Sequence, residues 1–336
     1  MHAYPGAMAA SAGTPPQLLC LGELLVDMVP QEEGASLAEA RSYLWAAGGA
    51  PANVAVAAAR LGARSAVVAA VGDDPFGQAL RDELARAGVD VSGVARVPRR
   101  TAVAFVSLSA GGERGFMFYG DDPAHDHLST ADALEAVARL AGAEGARCLH
   151  FGSVCLARDP ARSATDAAVA AARAAGCLVS CDVNLREGFW PDLGEARAVI
   201  GAFAARADLV KVSEEEALFL AGPGDEPERR LVNDLLAAGA RSVVVSRGAR
   251  GASAHTAGFS VDVAPPRVRS LDATGAGDAL TGALLAATLR APATWDDPGS
   301  ARAALERACA YAALSTTRRG AIPSYPTADE LAAFLG

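Results

Sequence analysis

Lysine is nearly absent from this 336-residue chain: Lys211 is the single one, and the remaining positive charge is arginine. That scarcity closes two routes to a nucleotide. A P-loop needs Gly-Lys followed by Ser or Thr, and Lys211 is followed by Val212. The protein-kinase set needs a Val-Ala-Ile-Lys strand and a His-Arg-Asp loop, and the chain has neither. Phosphate handling then falls to backbone amides, helix dipoles, arginines and metal ions. The five histidines form no HxxxH or HExxH pair and the six cysteines no CxxC, so no zinc site is expected. His125 and His127, two apart in a polar loop, read as solvent-facing. Cys20, Cys148, Cys155, Cys177, Cys181 and Cys309 mostly sit in apolar segments, as buried free thiols of a reducing cytoplasm would. A net charge of −9 without a basic patch speaks against a nucleic-acid partner. Apolar runs are broken by Arg, Asp or Gly well short of a membrane span, so no membrane partner is expected either. Residues 1–17 lack the charged and apolar order of a signal peptide and read as a disordered leader.

What is present is ample core material, with 51% apolar residues against 21% charged. Short apolar strands are predicted at 18–28, 65–71, 147–152, 178–182, 209–212 and 242–246. Ala-rich helices are predicted at 52–60, 76–87, 161–174, 195–205, 214–220 and 228–237, four of them followed by Gly62, Gly88, Gly176 or Gly239. Such alternation implies a mainly parallel sheet covered on both faces, with ligands beyond the carboxyl ends of its strands. Period-two segments at 101–109 and 114–119 around Gly111-Gly112 predict a hairpin. With 24–29 and 43–46 they would form a small antiparallel flap; a second hairpin is expected at 252–256 and 259–263. No linker is long enough to split the chain, so residues 18–336 read as one domain, with flap segments at about 24–46 and 98–120.

Ser270 to Leu280 carries the strongest chemical signal. Gly275, Ala276 and Gly277 precede an apolar helix predicted over 279–289, and Asp278 stands at its start. Unpaired N–H groups at a helix N-terminus accept an anion, and glycine lets a phosphate approach the backbone. A carboxylate beside an anion hole suits a general base that deprotonates an attacking hydroxyl. A Gly-rich turn followed by an ordinary acidic first turn is the other reading. Gly48 and Gly49 run into a helix whose first turn carries Asn53, a donor and acceptor suited to a polyhydroxylated ligand or simply a helix-start residue. Asp27 interrupts an apolar strand, where sugar hydroxyls or a strand-end surface position would satisfy it. Ser213 and Glu216 make a capping box, and Glu216 is also a candidate to hold a hydrated Mg²⁺ near a triphosphate.

Gly-Gly-Ala-Pro-Ala-Asn-Val-Ala at 48–55 and Asp-Ala-Thr-Gly-Ala-Gly-Asp, about 220 residues later, resemble the two signatures of the ribokinase-like sugar kinases, the phosphofructokinase-B family. The resemblance covers about residues 18–326. Segments 20–27, 182–186 with Trp190-Pro191, 211–216 and 317–323 look most like fructokinases. It implies a three-layer α/β sandwich with a mainly parallel central sheet and a β flap. It makes Asp278 the catalytic base and 275–277 the anion hole, with Asp27, Gly48, Gly49, Asn53, Phe118 and Arg186 on the sugar. ATP would meet Lys211, Ser246, Gly248 and Gly251, although Ser246 replaces a threonine and Arg247 is unusual there. The family's Asn-x-x-Glu metal motif keeps Glu216 and has Ser213 for the Asn. A K⁺ loop maps onto Asp272, Thr274, Ser315, Arg318, Gly320 and Ser324. After Met117-Phe118-Tyr119, where fructokinases and 2-keto-3-deoxygluconate kinases commonly carry an arginine, this chain has Gly120-Asp121-Asp122. The expected activity is ATP- and Mg²⁺-dependent phosphorylation of a primary hydroxyl of a small sugar, fructose first, in a cytoplasmic homodimer paired through the flap. Ribose, a nucleoside or 2-keto-3-deoxygluconate are the other acceptors, and a catalytically silent sugar- or nucleotide-binding regulator is the non-kinase alternative. A Rossmann dehydrogenase would need a GxGxxG after the first strand, which is missing.

Overall fold

A computed structural model describes residues 16–32, 36–108, 114–140 and 147–336. The expected Gly111-Gly112 turn and nearly all of the expected leader lie outside the described residues. The chain starts in β1 (Leu18–Leu21) and crosses into β2 (Leu25–Pro30) and β3 (Tyr43–Gly48). Helix α1 (Ala50–Arg60) leads to β4 (Ser65–Gly72), α2 (Pro75–Arg86) and β5 (Asp90–Val97). The hairpin β6 (Ala102–Leu108) and β7 (Arg114–Tyr119) precedes α3 (Thr130–Leu140). Regular alternation follows through β8 (Cys148–Phe151), α4 (Ala161–Ala174), β9 (Leu178–Asp182), α5 (Leu193–Ala204), β10 (Leu209–Ser213), α6 (Glu214–Ala221), α7 (Pro227–Ala237) and β11 (Ser242–Ser246). The second hairpin, β12 (Ala252–His255) and β13 (Ser260–Val263), is followed by α8 (Ala276–Arg290), α9 (Pro298–Ser315) and α10 (Ala328–Leu335).

Nine strands form one sheet in the order β13-β12-β11-β10-β9-β8-β1-β4-β5, parallel except at the β12 and β13 edge. Side chains of a strand alternate between faces, and β1 shows the consequence. Leu18 and Cys20 join the core beneath α1, α8 and α9, whereas Leu19 and Leu21 join the one beneath α3, α4 and α5. Helices therefore cover both faces, the three-layer arrangement expected. Glycines 62, 88, 176 and 239 all have positive φ at helix ends, as their positions predicted.

Three expectations need correction. The strand expected over 18–28 is two, because the chain turns at residues 22–24 from the large sheet into the small one. Gly22 lies so close to the Pro51 ring that any side chain would collide with it. The small sheet, in the order β3-β2-β6-β7, is not wholly antiparallel: its central pair, β2 and β6, runs parallel. The reason is that β6 is reached from β2 by way of the large sheet rather than by a hairpin turn. Strand β5 and helix α3 carry no strong sequence signal. β5 is a sheet edge containing Gly93, and α3 buries a modest face of Ala133, Ala136, Val137 and Leu140.

Helices α1 and α8 pack closely. Gly282 sits against the Ala57 methyl and the Val54 carbonyl, where a β-carbon would collide with both. This approach sets the distance between the two glycine turns, since Asn53 rides on α1 and Asp278 on α8.

Candidate active site

Gly275, in the left-handed region at φ 72°, stands at the N-cap of α8, where a side chain would run into the Tyr325 hydroxyl and Ala321. That hydroxyl donates to the Gly275 carbonyl at 3.0 Å, fixing the turn. Asp278 follows in the first helical turn and is only 7% exposed. Asn53 Nδ2 donates to its Oδ2 at 2.8 Å, and Asn184 Nδ2 donates to its Oδ1 at 3.2 Å. Burial, and then the charge of Asp182, push the Asp278 carboxyl up to about 6, against the pull of the Asn53 hydrogen bond, Arg186 and Lys211. The result is a carboxylate that is mostly ionised at neutral pH yet basic enough to take a proton.

Behind Asp278 lies an ion pair. Lys211 Nζ meets Asp182 Oδ1 at 3.0 Å, and Thr281 donates to Asp182 Oδ2 at 2.9 Å. The two residues are register partners on β10 and β9, which explains how positions far apart in sequence meet. Burial opposes the Lys211 charge, but Asp182 and Glu216 outweigh it and hold the ammonium above its usual range. The sole lysine is thus a fixed cation beside Gly277, whose missing side chain leaves the approach to Nζ open.

The sugar-side residues share a cavity of about 260 Å³ with Asp278. Glu23, Asp27, Gly49, Asn53, Phe118, Asn184, Arg186, Phe189 and Lys211 line it, together with residues 273–275 and 277. Gly48 contributes indirectly, since a side chain there would strike the Asp27 carboxylate. Asn53 Oδ1 is buried without a partner, an acceptor left over once its amide group has bound Asp278. Phe118 of the flap packs at a tilt of 49° against Phe189, ring centroids 4.2 Å apart, making an apolar wall. Polar groups on one side and rings on the other suit a small polyhydroxylated ligand.

Other predicted residues lie outside this cavity. Ser246 ends β11, and Gly248 and Gly251 follow it with positive φ. Arg247 is paired with Glu228 and donates to Ser253 Oγ at 2.8 Å, while Arg250 pairs with Glu214. Glu216 accepts backbone N–H bonds from Ser213 and Leu185, both at 2.8 Å, so its capping-box reading holds. Among the described residues no group of three His, Cys, Asp or Glu could hold a metal ion. Any divalent ion here would rest mainly on substrate phosphates and water, a common arrangement for Mg²⁺.

Asp272 accepts from Thr274 N, Thr274 Oγ1 and Gly320 N at 2.8, 2.6 and 2.8 Å, so the two halves of the expected cation loop do meet. Ser315 and Ser324 hydroxyls donate to the carbonyls of Ala312 and Ala321, and Arg318 pairs with Glu330. His125 corrects its expectation: it is fully buried, and burial lowers it to about 4. His127 instead contacts Asp122, which also binds Arg99, so Asp122 is engaged outside the cavity. Asn184, Asp182, Thr281, Glu23 and Phe189 are site residues that sequence reasoning did not assign. Polar strand ends at 182–184 were the available signal for two of them.

Residues 15–328 match the family described as pfkB family carbohydrate kinase. The chain belongs to that family. It is 43% identical to fructokinase-1 of Zea mays over 317 residues, covering 94% of this chain and 96% of the relative. A fructokinase with bound ATP from Xylella fastidiosa superposes with a TM-score of 0.86 at 32% identity, covering 95% of this chain and 98% of the other. A double-mutant fructokinase from Vibrio cholerae O395, bound to fructose, ADP and potassium ion, does so with 0.84 at 35% identity, covering 96% and 99%. As a pfkB carbohydrate kinase, the chain has both signatures on one cavity wall, with Asn53 of the first bonded to Asp278 of the second.

Proposed function

We propose that this chain is a fructokinase that transfers the γ-phosphoryl group of ATP to a primary hydroxyl of fructose. The observation that carries this reading is Asp278: a buried carboxylate, held by two amides at a helix N-terminus, bordering a cavity lined with polar groups. Asp278 takes the proton of the attacking hydroxyl, whose oxygen forms the new P–O bond as the bond to ADP breaks. Backbone N–H groups at 275–277 and Lys211 stabilise the charge that develops on the phosphoryl oxygens. Asp27, Gly48, Gly49, Asn53, Phe118 and Arg186 hold the sugar, and the turn of Ser246, Gly248 and Gly251 receives the nucleotide. Glu216 would help hold a hydrated Mg²⁺, which would supply positive charge against the phosphates. Asp272, Thr274, Ser315, Arg318, Gly320 and Ser324 would hold a K⁺ ion, which would supply positive charge near the anion hole. Closure of the flap excludes water that would hydrolyse ATP. All six cysteines are buried and free, consistent with the cytoplasm as its location; among the described residues no helix is long and apolar enough to cross a membrane.

Coupled ADP-release assays test the assignment. Asp278→Asn should lower kcat by about 10²–10⁴-fold with nucleotide affinity retained; near-wild-type turnover would remove Asp278 as the base. The same assay with K⁺ replaced by a large organic cation at constant ionic strength should run slower, and an unchanged rate would remove the cation loop.

A further inference from the structure

Glu23 occupies the bend between the two sheets, after β1 of the large one and before β2 of the flap. It is 3% exposed and lines the cavity that contains Asp278. Its Oε1 accepts the backbone N–H of Ala50 at 2.8 Å. Ala50 opens α1, so the carboxyl sits at a helix N-terminus, where negative charge is favoured. The same bend touches the Gly-Gly turn a second time: Gly49, at φ 107°, presses against the Glu23 backbone carbonyl so closely that any side chain there would collide. Gly49 then accepts from the backbone N–H of Asn53 at 3.0 Å, and Asn53 donates to Asp278 Oδ2. Each step is a single contact, and together they join the flap's root to the carboxylate on α8.

Glu23 Oε2 is buried and has no hydrogen-bond partner. A carboxyl group is an expensive way to fill such a place, since burying one oxygen unsatisfied costs free energy that an apolar side chain would not. Burial, opposed by the backbone hydrogen bonds and by Arg186, raises this carboxyl to about 7. Packing alone gives no reason for it; holding the turn does.

We propose that Glu23 is a positioning residue for phosphoryl transfer: by binding the Ala50 N–H it fixes the Gly48-Gly49-Ala50 turn, and with it Asn53, against Asp278. The proposal rests on the reading of Asp278 as the base. Loss of Glu23 loosens Asn53, so the attacking hydroxyl and Asp278 meet less often in the productive geometry, and kcat falls while the distant nucleotide turn is unaffected.

The test compares Glu23→Met, which keeps the volume and removes the acceptor, with Glu23→Gln, which keeps an acceptor oxygen. Steady-state kinetics with ATP and fructose, beside thermal unfolding, should give a kcat at least about tenfold lower for Glu23→Met with KM for ATP within about twofold. Glu23→Gln should recover most of that loss. If Glu23→Met does not fold, Ala50→Pro removes the donor of the same hydrogen bond at a helix position that tolerates proline, and it should show the same kcat loss. Wild-type kcat in whichever of these two is folded overturns the proposal, as does Glu23→Gln being no better than Glu23→Met. Asp278→Asn run alongside separates the two readings: if it is inactive while the Glu23 series is silent, only the positioning role fails.

Discussion

At the scale of single residues, the account turns on Asp278 and on its proton. As the proposed base, Asp278 would work only as a carboxylate, and its ionisation is shifted upward to about 6 by burial and Asp182. Lowering the pH through that value protonates it, so kcat/KM for the sugar should fall on the acid side with a midpoint near pH 6. A profile that stays flat to pH 5 would contradict the assignment. The placement of Asp278, Gly275 and Asn53 at helix starts was legible because each lies in a short glycine-bearing segment that opens a helix. The Lys211–Asp182 pair was not, because it exists only once β9 and β10 align in register. Asn184 was likewise hidden, reaching Asp278 from a strand end that only the folded sheet brings near. The opposite error befell His125, whose polar neighbours in sequence gave no sign of the aromatic and aliphatic packing that buries it.

Among the elements, the meeting of α1 and α8 matters most, since these helices carry Asn53 and Asp278. Gly282 permits their approach. Adding one methyl group in Gly282→Ala should force the helices apart, costing about 1–3 kcal/mol of stability as overpacked cores do. Turnover should fall with it as the Asn53–Asp278 contact lengthens. A variant with unchanged melting temperature and unchanged kcat would show that this packing does not set the site. Alternation of apolar runs with Ala-rich helices made the large sheet readable, because each strand–helix unit is local. The flap was harder: only Gly22, Glu23 and Leu24 separate β1 from β2, and the parallel pairing of β2 with β6 spans residues that belong to the other sheet. Patterns of period two identify strands but do not choose their partners.

For the whole molecule, the proposed homodimer and the choice of acceptor are both tested at the four-stranded flap. Trp45 on β3 and Met117 and Tyr119 on β7 lie on one face of the flap by register and expose apolar surface on its edge strands. A homodimer paired through this face should sediment at twice the mass of the chain, and Trp45→Asp with Tyr119→Asp should shift it toward the monomer. Sedimentation of the wild type as a monomer at micromolar concentration would contradict that pairing. The acceptor follows from the charges that reach the cavity. Asp27 and Asn53 offer hydrogen bonds to neutral hydroxyls, and no arginine follows Tyr119 to meet a carboxylate. Asp122, which could have repelled an anion, is held outside by Arg99 and His127, so the discrimination rests on the missing cation. Arg186 remains in the cavity, where its charge pulls against the upward shift of the Glu23 carboxyl. Competition kinetics with fructose, ribose and 2-keto-3-deoxygluconate test this most directly. Fructose should be preferred over the keto acid by at least about tenfold in kcat/KM, roughly 1.4 kcal/mol of transition-state binding; a clear preference for the keto acid would contradict the account.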